Sequence, residues 1–152
     1  MRRLHLAAAI LAAALLSSCG EKPATMEDLT STEIVFPNST KIIAETMREN
    51  IDLTRGLMFR DSLAQGRGML FVHTSESNFN AWTYQVKFPI DIIWLDRNHH
   101  IVEIVANAPA CPSASARECP YYGGHQKAQY ALEVNAGVVG KNGLKVGDQL
   151  GF

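Results

Sequence analysis

A mainly β domain, a compact β-sandwich or barrel-like unit with one or two short helices, is predicted by three observations. Short apolar or alternating runs recur along the chain, separated by Gly, Pro, Asn and Asp. Ile90 to Leu95 is almost continuously apolar and largely β-branched, the mark of a central strand buried on both faces. The turn Asp96-Arg97-Asn98-His99 then leads into Ile101-Val102-Glu103-Ile104-Val105, and the two runs read as a β-hairpin.

The other elements follow in order. Thr32 to Phe36 reads as a first strand, Pro37-Asn38-Ser39 as a turn, and Lys41 to Met47 as a second strand. Asn50 to Met58 reads as a short helix. Asn50 can cap it, Asp52 suits its first turn, and Gly56 weakens it. Gly66-Arg67-Gly68 breaks the chain before the apolar strand Met69 to Val72, and Ala81 to Val86 reads as another strand. Asn107 to Gly124 is a long loop rich in Pro, Ser, Ala and Gly, a length that usually carries function or disorder. Tyr130 to Val134 alternates as a strand. Asn135 can cap a helix ended by Asn142-Gly143, and Val146-Gly147-Asp148 turns into a last strand through Phe152.

The N-terminal segment points to export. Arg2 and Arg3 precede an apolar run from Leu4 to Leu16, interrupted only by His5 and too short to span a bilayer. Leu16-Ser17-Ser18-Cys19 follows, and this resembles a bacterial lipoprotein signal cut before an acylated Cys19. The rivals are an ordinary secretory leader with a stray cysteine and an apolar helix that stays in the membrane. The expected organisation is a signal peptide at 1–18, a flexible polar tether at 19–31 and one β domain at 32–152. Two acyl chains would anchor it stably. Gly20 stands where an aspartate would signal inner-membrane retention, so the expected place is the outer membrane, facing the periplasm.

Composition narrows the partners. The 14 Lys and Arg face 15 Asp and Glu, and two of the bases lie in the leader. A mildly acidic domain argues against a nucleic-acid partner, since phosphate backbones are held by clustered bases. Cys111 and Cys119 are the cysteines left once Cys19 is assigned to the anchor. In an exported chain a disulfide between them is the obvious pairing. A redox pair or half a metal site is the rival, although the spacing is neither C-x-x-C nor that of a zinc knuckle.

Several segments together carry a family likeness. Arg55-Gly56-Leu57-Met58-Phe59-Arg60 precedes Gly68-Met69-Leu70-Phe71, Trp82, Pro89-Ile90-Asp91-Ile92-Ile93 and Ile101-Val102. Cys111, Cys119-Pro120-Tyr121, Leu132-Glu133-Val134-Asn135-Ala136-Gly137 and Gly147-Asp148 complete the series. In this order they resemble the DUF192 family (also called UPF0127), small bacterial and archaeal domains of unknown function, often exported or lipid-anchored. The resemblance covers about residues 40 to 152. It implies a mainly β sandwich or barrel and no particular reaction. Where members read Trp-Met-Lys-Asn-Thr, this chain has Trp82-Thr83-Tyr84-Gln85-Val86.

The chemistry must be argued from residues. No G-x-S-x-G or H-E-x-x-H is present, and His73, His99, His100 and His125 show no ligand spacing, so neither metal nor cofactor is expected. Asp91, at the mouth of the central strand, and Glu133, inside an apolar strand, are candidate catalytic acids. The plainer account has Asp91 binding backbone N–H groups of its own turn and Glu133 facing solvent on the outer side of the sheet. Trp82 and Tyr84 share a strand face and could stack on a sugar or peptide, or pack in the core. The favoured reading is an envelope binding or accessory module, acting as a monomer on a small ligand, a glycan or a partner protein. Its expected cleft is bordered by Trp82, Tyr122 and Asp91, with Arg55 or Arg60 as the positive group. The alternative is a hydrolase using Asp91 and Glu133 as acid and base.

Overall fold

All six residues of Ile90–Leu95 are buried, as a continuous apolar run requires of a strand covered on both faces. The computed structural model describes residues 30–152. The leader, Cys19 and most of the expected tether lie outside the described residues. The elements are β1 (Ser31–Val35), β2 (Lys41–Met47), α1 (Asn50–Arg55), β3 (Arg67–Ser77), β4 (Ala81–Trp82), β5 (Ile90–Leu95), β6 (Ile101–Ala108), a 3-10 turn (Ala116–Glu118), β7 (Tyr121–Tyr122), β8 (Ala128–Asn135) and α2 (Val138–Asn142).

Six strands form one sheet in the order β1-β2-β3-β8-β5-β6, and β4 pairs with β7 in a separate ribbon. All pairs are antiparallel except β2 with β3, whose parallel pairing requires the α1 crossover between them. The C-terminal stretch joins the two sheet edges. Val35 and Gly151 exchange backbone hydrogen bonds of 2.8 and 2.9 Å, and Leu150 N–H donates to the His99 carbonyl at 3.0 Å. Edge strands β1 and β6 are thereby bridged and the sheet curls toward a closed barrel, which removes two unpaired edges.

Alternation along the strands divides the apolar residues into two cores. Ile34, Ile42, Leu70, Ile93, Leu95, Leu132 and Val134 fill the inner one. Met69, Phe71, Ile90, Ile92, Trp94 and Ala131 form the outer one, beneath α1, the β4–β7 ribbon and the long loop. Trp94 is fully buried, and its indole N–H donates to the Phe79 carbonyl at 3.1 Å. Gly123 packs against that indole so closely that a Cβ there would lie 2.4 Å from the ring. This accounts for a glycine in the loop.

Several elements differ from their sequence reading. The first helix ends at Arg55 because Gly56 takes φ +43°, and Glu49 rather than Asn50 precedes it as N-cap. β3 runs on to Ser77, well past Val72. The stretch 81–86 is a strand only at Ala81–Trp82, since Gln85 takes φ +56° and turns the chain. Gly137, not Asn135, caps α2. The Asn135 side chain instead donates to the Leu63 carbonyl at 2.8 Å. The last segment forms isolated bridges rather than a strand.

Cys111 and Cys119 are joined as a disulfide, their Cα atoms 5.9 Å apart. The bridge shapes the loop that braces the chain after Trp82. Gln85 N–H donates to the Cys111 carbonyl at 2.9 Å, and the Gln85 side-chain amide donates to the Ser113 carbonyl. The Gln85 carbonyl in turn accepts at 2.9 Å from the N–H of Phe59, which also has positive φ. Two strained residues are thus held in place by each other and by the disulfide loop.

Asp91 is fully buried on the inner side of β5. Its Oδ1 accepts from Asn107 N–H at 2.8 Å and its Oδ2 from Val139 N–H at 2.8 Å. One carboxylate therefore ties β5 to the end of β6 and to the first turn of α2. Asp91→Asn should destabilise the fold by about 1–3 kcal/mol, because one N–H loses its acceptor in a buried place. Chemical denaturation measures this, and an unchanged midpoint would contradict the structural role.

Candidate functional site

On the opposite face of the same sheet lies a small pocket with a cavity volume of about 100 Å³, partly open to solvent. Its floor is made by Phe71 and His73 of β3 with Ala131 and Glu133 of β8. Residues 53–58 form one wall, and 79–82 with Val86 form the other. Gly56 is required at the first wall. A Cβ there would lie 2.8 Å from the Phe71 ring, and its φ of +43° already disfavours any side chain.

Glu133 dominates the electrostatics. It pairs with Met69 on one side and Ile92 on the other, and both of these are fully buried. Its own exposure is 5%. No hydrogen bond or ion pair engages its carboxyl among the described residues. Loss of hydration with nothing in return favours the neutral acid, and the pKa is pushed up from 4.5 to about 8. His73 stands two strand positions beyond Phe71 on the same face, its ring 3.8 Å from that of Phe79. Burial holds its pKa below the usual imidazole range. The pocket thus offers, at neutral pH, a protonated carboxyl at one end and a neutral imidazole at the other. Arg55 stands exposed at the mouth, with no ion-pair partner among the described residues.

The rim is aromatic. Trp82 stacks on Tyr121 with ring centroids 5.7 Å apart and planes 14° from parallel. Tyr84 lies on the same side, its ring 5.5 Å from that of Trp82, held there by a bridge to Cys111. Tyr121 is 63% exposed. Thr83, between the two aromatic residues, is fully buried, and its hydroxyl has no hydrogen-bond partner among the described residues.

Residues 55–58, Phe71, Trp82 and Glu133, drawn from four separate segments of the chain, line this one pocket. The model of the DUF192 family, described as an uncharacterized ACR, matches residues 33–152. The chain belongs to the DUF192 family. Two crystal structures share its fold. One is a protein of unknown function from Novosphingobium aromaticivorans DSM 12444. It is 22% identical with a TM-score of 0.65, covering 80% of this chain and 85% of that one. The other is a protein from Sinorhizobium meliloti 1021 named a "putative transcription regulator". It is 23% identical with a TM-score of 0.66, covering 78% and 89%. No functionally curated protein matches the chain.

Against this DUF192 pocket, the residues expected from sequence sort plainly. Arg55 and Trp82 are there. Asp91 is not, because neighbouring strand residues face opposite ways. Asp91 pairs with Val134 and points inward, whereas Glu133, one residue along, points outward. For the same reason Asp91 and Glu133 do not face one cleft, and Glu133, though outward, is kept from bulk solvent by the pocket walls above it. Arg60 is engaged by Glu45 in a bidentate pair, both contacts at 2.6 Å. That pairing lowers the Glu45 pKa and removes Arg60 from the pocket. Tyr122 pairs with Ala81 and packs into the outer core, and its neighbour Tyr121 takes the place beside Trp82. Sequence reasoning misses His73, Phe71 and Phe79 as site residues. Extending the alternation of Met69 and Phe71 by one step finds His73.

The buried acid makes stability depend on pH. Glu133 stays protonated in the fold up to about pH 8 but ionises near 4.5 when exposed. Between these values the unfolded chain binds fewer protons, so stability falls as pH rises, by up to about 1.4 kcal/mol per pH unit. The loss levels off above the folded-state value. Glu133→Gln should flatten this slope and leave the protein more stable than the native chain at pH 8. Denaturation midpoints from pH 5 to 9 test it, and equal slopes for the two proteins would refute a buried neutral acid.

Proposed function

We propose that this DUF192 domain is the binding module of an exported lipoprotein, anchored through Cys19 and receiving a small ligand in the Glu133 pocket. The observation that carries the reading is the pocket itself, a concavity whose aromatic and aliphatic walls are interleaved with the polar side chains of Thr54, Arg55, His73, Asn80 and Glu133. Glu133, His73 and Arg55 are the groups that could orient a ligand. Export is supported by Arg2-Arg3, the short apolar run and Leu16-Ser17-Ser18-Cys19. An internal disulfide suits an oxidising compartment. Gly20 after the cysteine favours the outer membrane, facing the periplasm. A hydrolytic reading loses its basis once Asp91 and Glu133 lie on opposite faces. The stacked Trp82–Tyr121 rim, with Tyr84 beside it, favours a second, compatible reading in which a sugar ring or peptide docks against the mouth.

Mass spectrometry of the protein isolated from membranes tests both halves of the reading. The mature N-terminus should be an acylated Cys19, and an uncut leader or an unmodified cysteine would refute the anchor. Native spectra should show a small-molecule adduct that Ala131→Leu, which fills the pocket floor, removes. A native chain with no adduct, or an adduct untouched by Ala131→Leu, would refute the pocket as binding site.

A further inference from the structure

We propose that the Glu133 pocket selects a small organic cation, a protonated amine that ion-pairs with the Glu133 carboxylate among the rings of Phe71, Phe79 and Trp82. This rests on the pocket being a ligand site and names the ligand's charge. Near neutral pH a buried, unpartnered carboxyl regains its charge when a cation comes to it. Three aromatic rings line the same space, and the π-face of a ring attracts a cation where water is excluded. A metal ion does not suit the site. Among the described residues no three His, Cys, Asp or Glu side chains come together to hold one. The remaining charged group at the pocket, Arg55, stands in water at the mouth, where screening weakens its repulsion.

Binding of an amine would be coupled to a proton. From β2, Glu45 faces this side, held by Arg60; from β3, Arg67, Met69, Phe71 and His73; from β5, Ile92; from the α1 end, Arg55; and from 79–82 no titratable group. Burial lowers the His73 pKa, pairing with Arg60 lowers that of Glu45, and burial raises that of Glu133, so Glu133 is the group whose state a bound amine changes. The free pocket holds Glu133 protonated at pH 7, and an amine selects the ionised form. Each amine bound therefore expels close to one proton, which passes to solvent. Affinity should rise about tenfold per pH unit as the pH climbs toward the free-state midpoint, and flatten above it.

The test is titration of the full chain with n-butylammonium chloride, n-butanol and sodium butyrate, read from backbone amide shifts at Gly56, Phe71 and Ala131. The expected result is saturable shifts with n-butylammonium only, tightening about tenfold from pH 6 to pH 7. Glu133→Gln should weaken this binding at least tenfold and abolish its pH dependence. Should that variant fail to fold, the pH dependence in the native chain makes the same test. Saturation by butanol or butyrate with n-butylammonium inactive would leave the pocket as a ligand site and overturn its selectivity for cations. Amine binding that is indifferent to pH would overturn that selectivity as well. Failure of all three probes to move the pocket amides would overturn both the cation and the pocket.

Discussion

The structure depends on the register of β8 between β3 and β5. That strand is paired on both sides, with Glu133 opposite Met69 on one flank and Ile92 on the other. Side chains alternate with a period of two, so one register decides everything beyond it. Leu132 and Val134 enter the inner core, while Ala131 and Glu133 floor the pocket. A slip by one residue would bury Glu133 inside the barrel and push Leu132 into the pocket. The inner core leaves no room for a second carboxylate beside Asp91, whose two oxygens are already engaged by Asn107 and Val139. Two acids, adjacent in projection along the sheet, thus have unrelated tasks. One is a hydrogen-bonded tie between segments, and the other is an uncompensated, desolvated group held at the floor of a cavity.

Holding that desolvated acid requires a rigid lining, and the chain supplies it with close backbone approaches. Gly56 lets the end of α1 lie on the Phe71 ring, and Gly123 lets the long loop lie on Trp94. Trp94 in turn anchors the Phe79 carbonyl, and so one wall of the pocket. The disulfide loop grips Gln85, and Gln85 grips Phe59 at the end of the other wall. The two walls are therefore linked across the pocket by hydrogen bonds rather than left as independent loops. A preformed cavity loses less on binding than one that must be ordered first.

Much of the fold is legible in the sequence, because periodicity reports local geometry. The buried strand at Ile90–Leu95, its hairpin partner and the strands at Lys41–Met47 and 130–134 all follow from runs of residues a few positions long. Pairing is another matter. Nothing local says that β8 inserts between β3 and β5, or that Gly151 closes the sheet on Val35. Side-chain direction within a strand is readable, but which face becomes the pocket is not. Asp91 therefore looks like a site residue in the sequence, since its acceptor role is satisfied by N–H groups far along the chain. Arg60 looks free for the same reason, with Glu45 brought beside it by the fold. Arg55 and Trp82 are found because the family motif and an aromatic strand residue mark surfaces directly. His73 is lost because the apolar run stops at Val72, one residue too soon.

The central claim is that Glu133 is an unpaired, desolvated acid at the floor of a pocket. Carbon-detected NMR of its side-chain carboxyl, followed from pH 4 to pH 10 in the ligand-free chain, measures this directly. The carboxyl should titrate with a midpoint near 8. A midpoint near its ordinary value of 4.5 would mean that water or a cationic partner reaches it, and would contradict the claim.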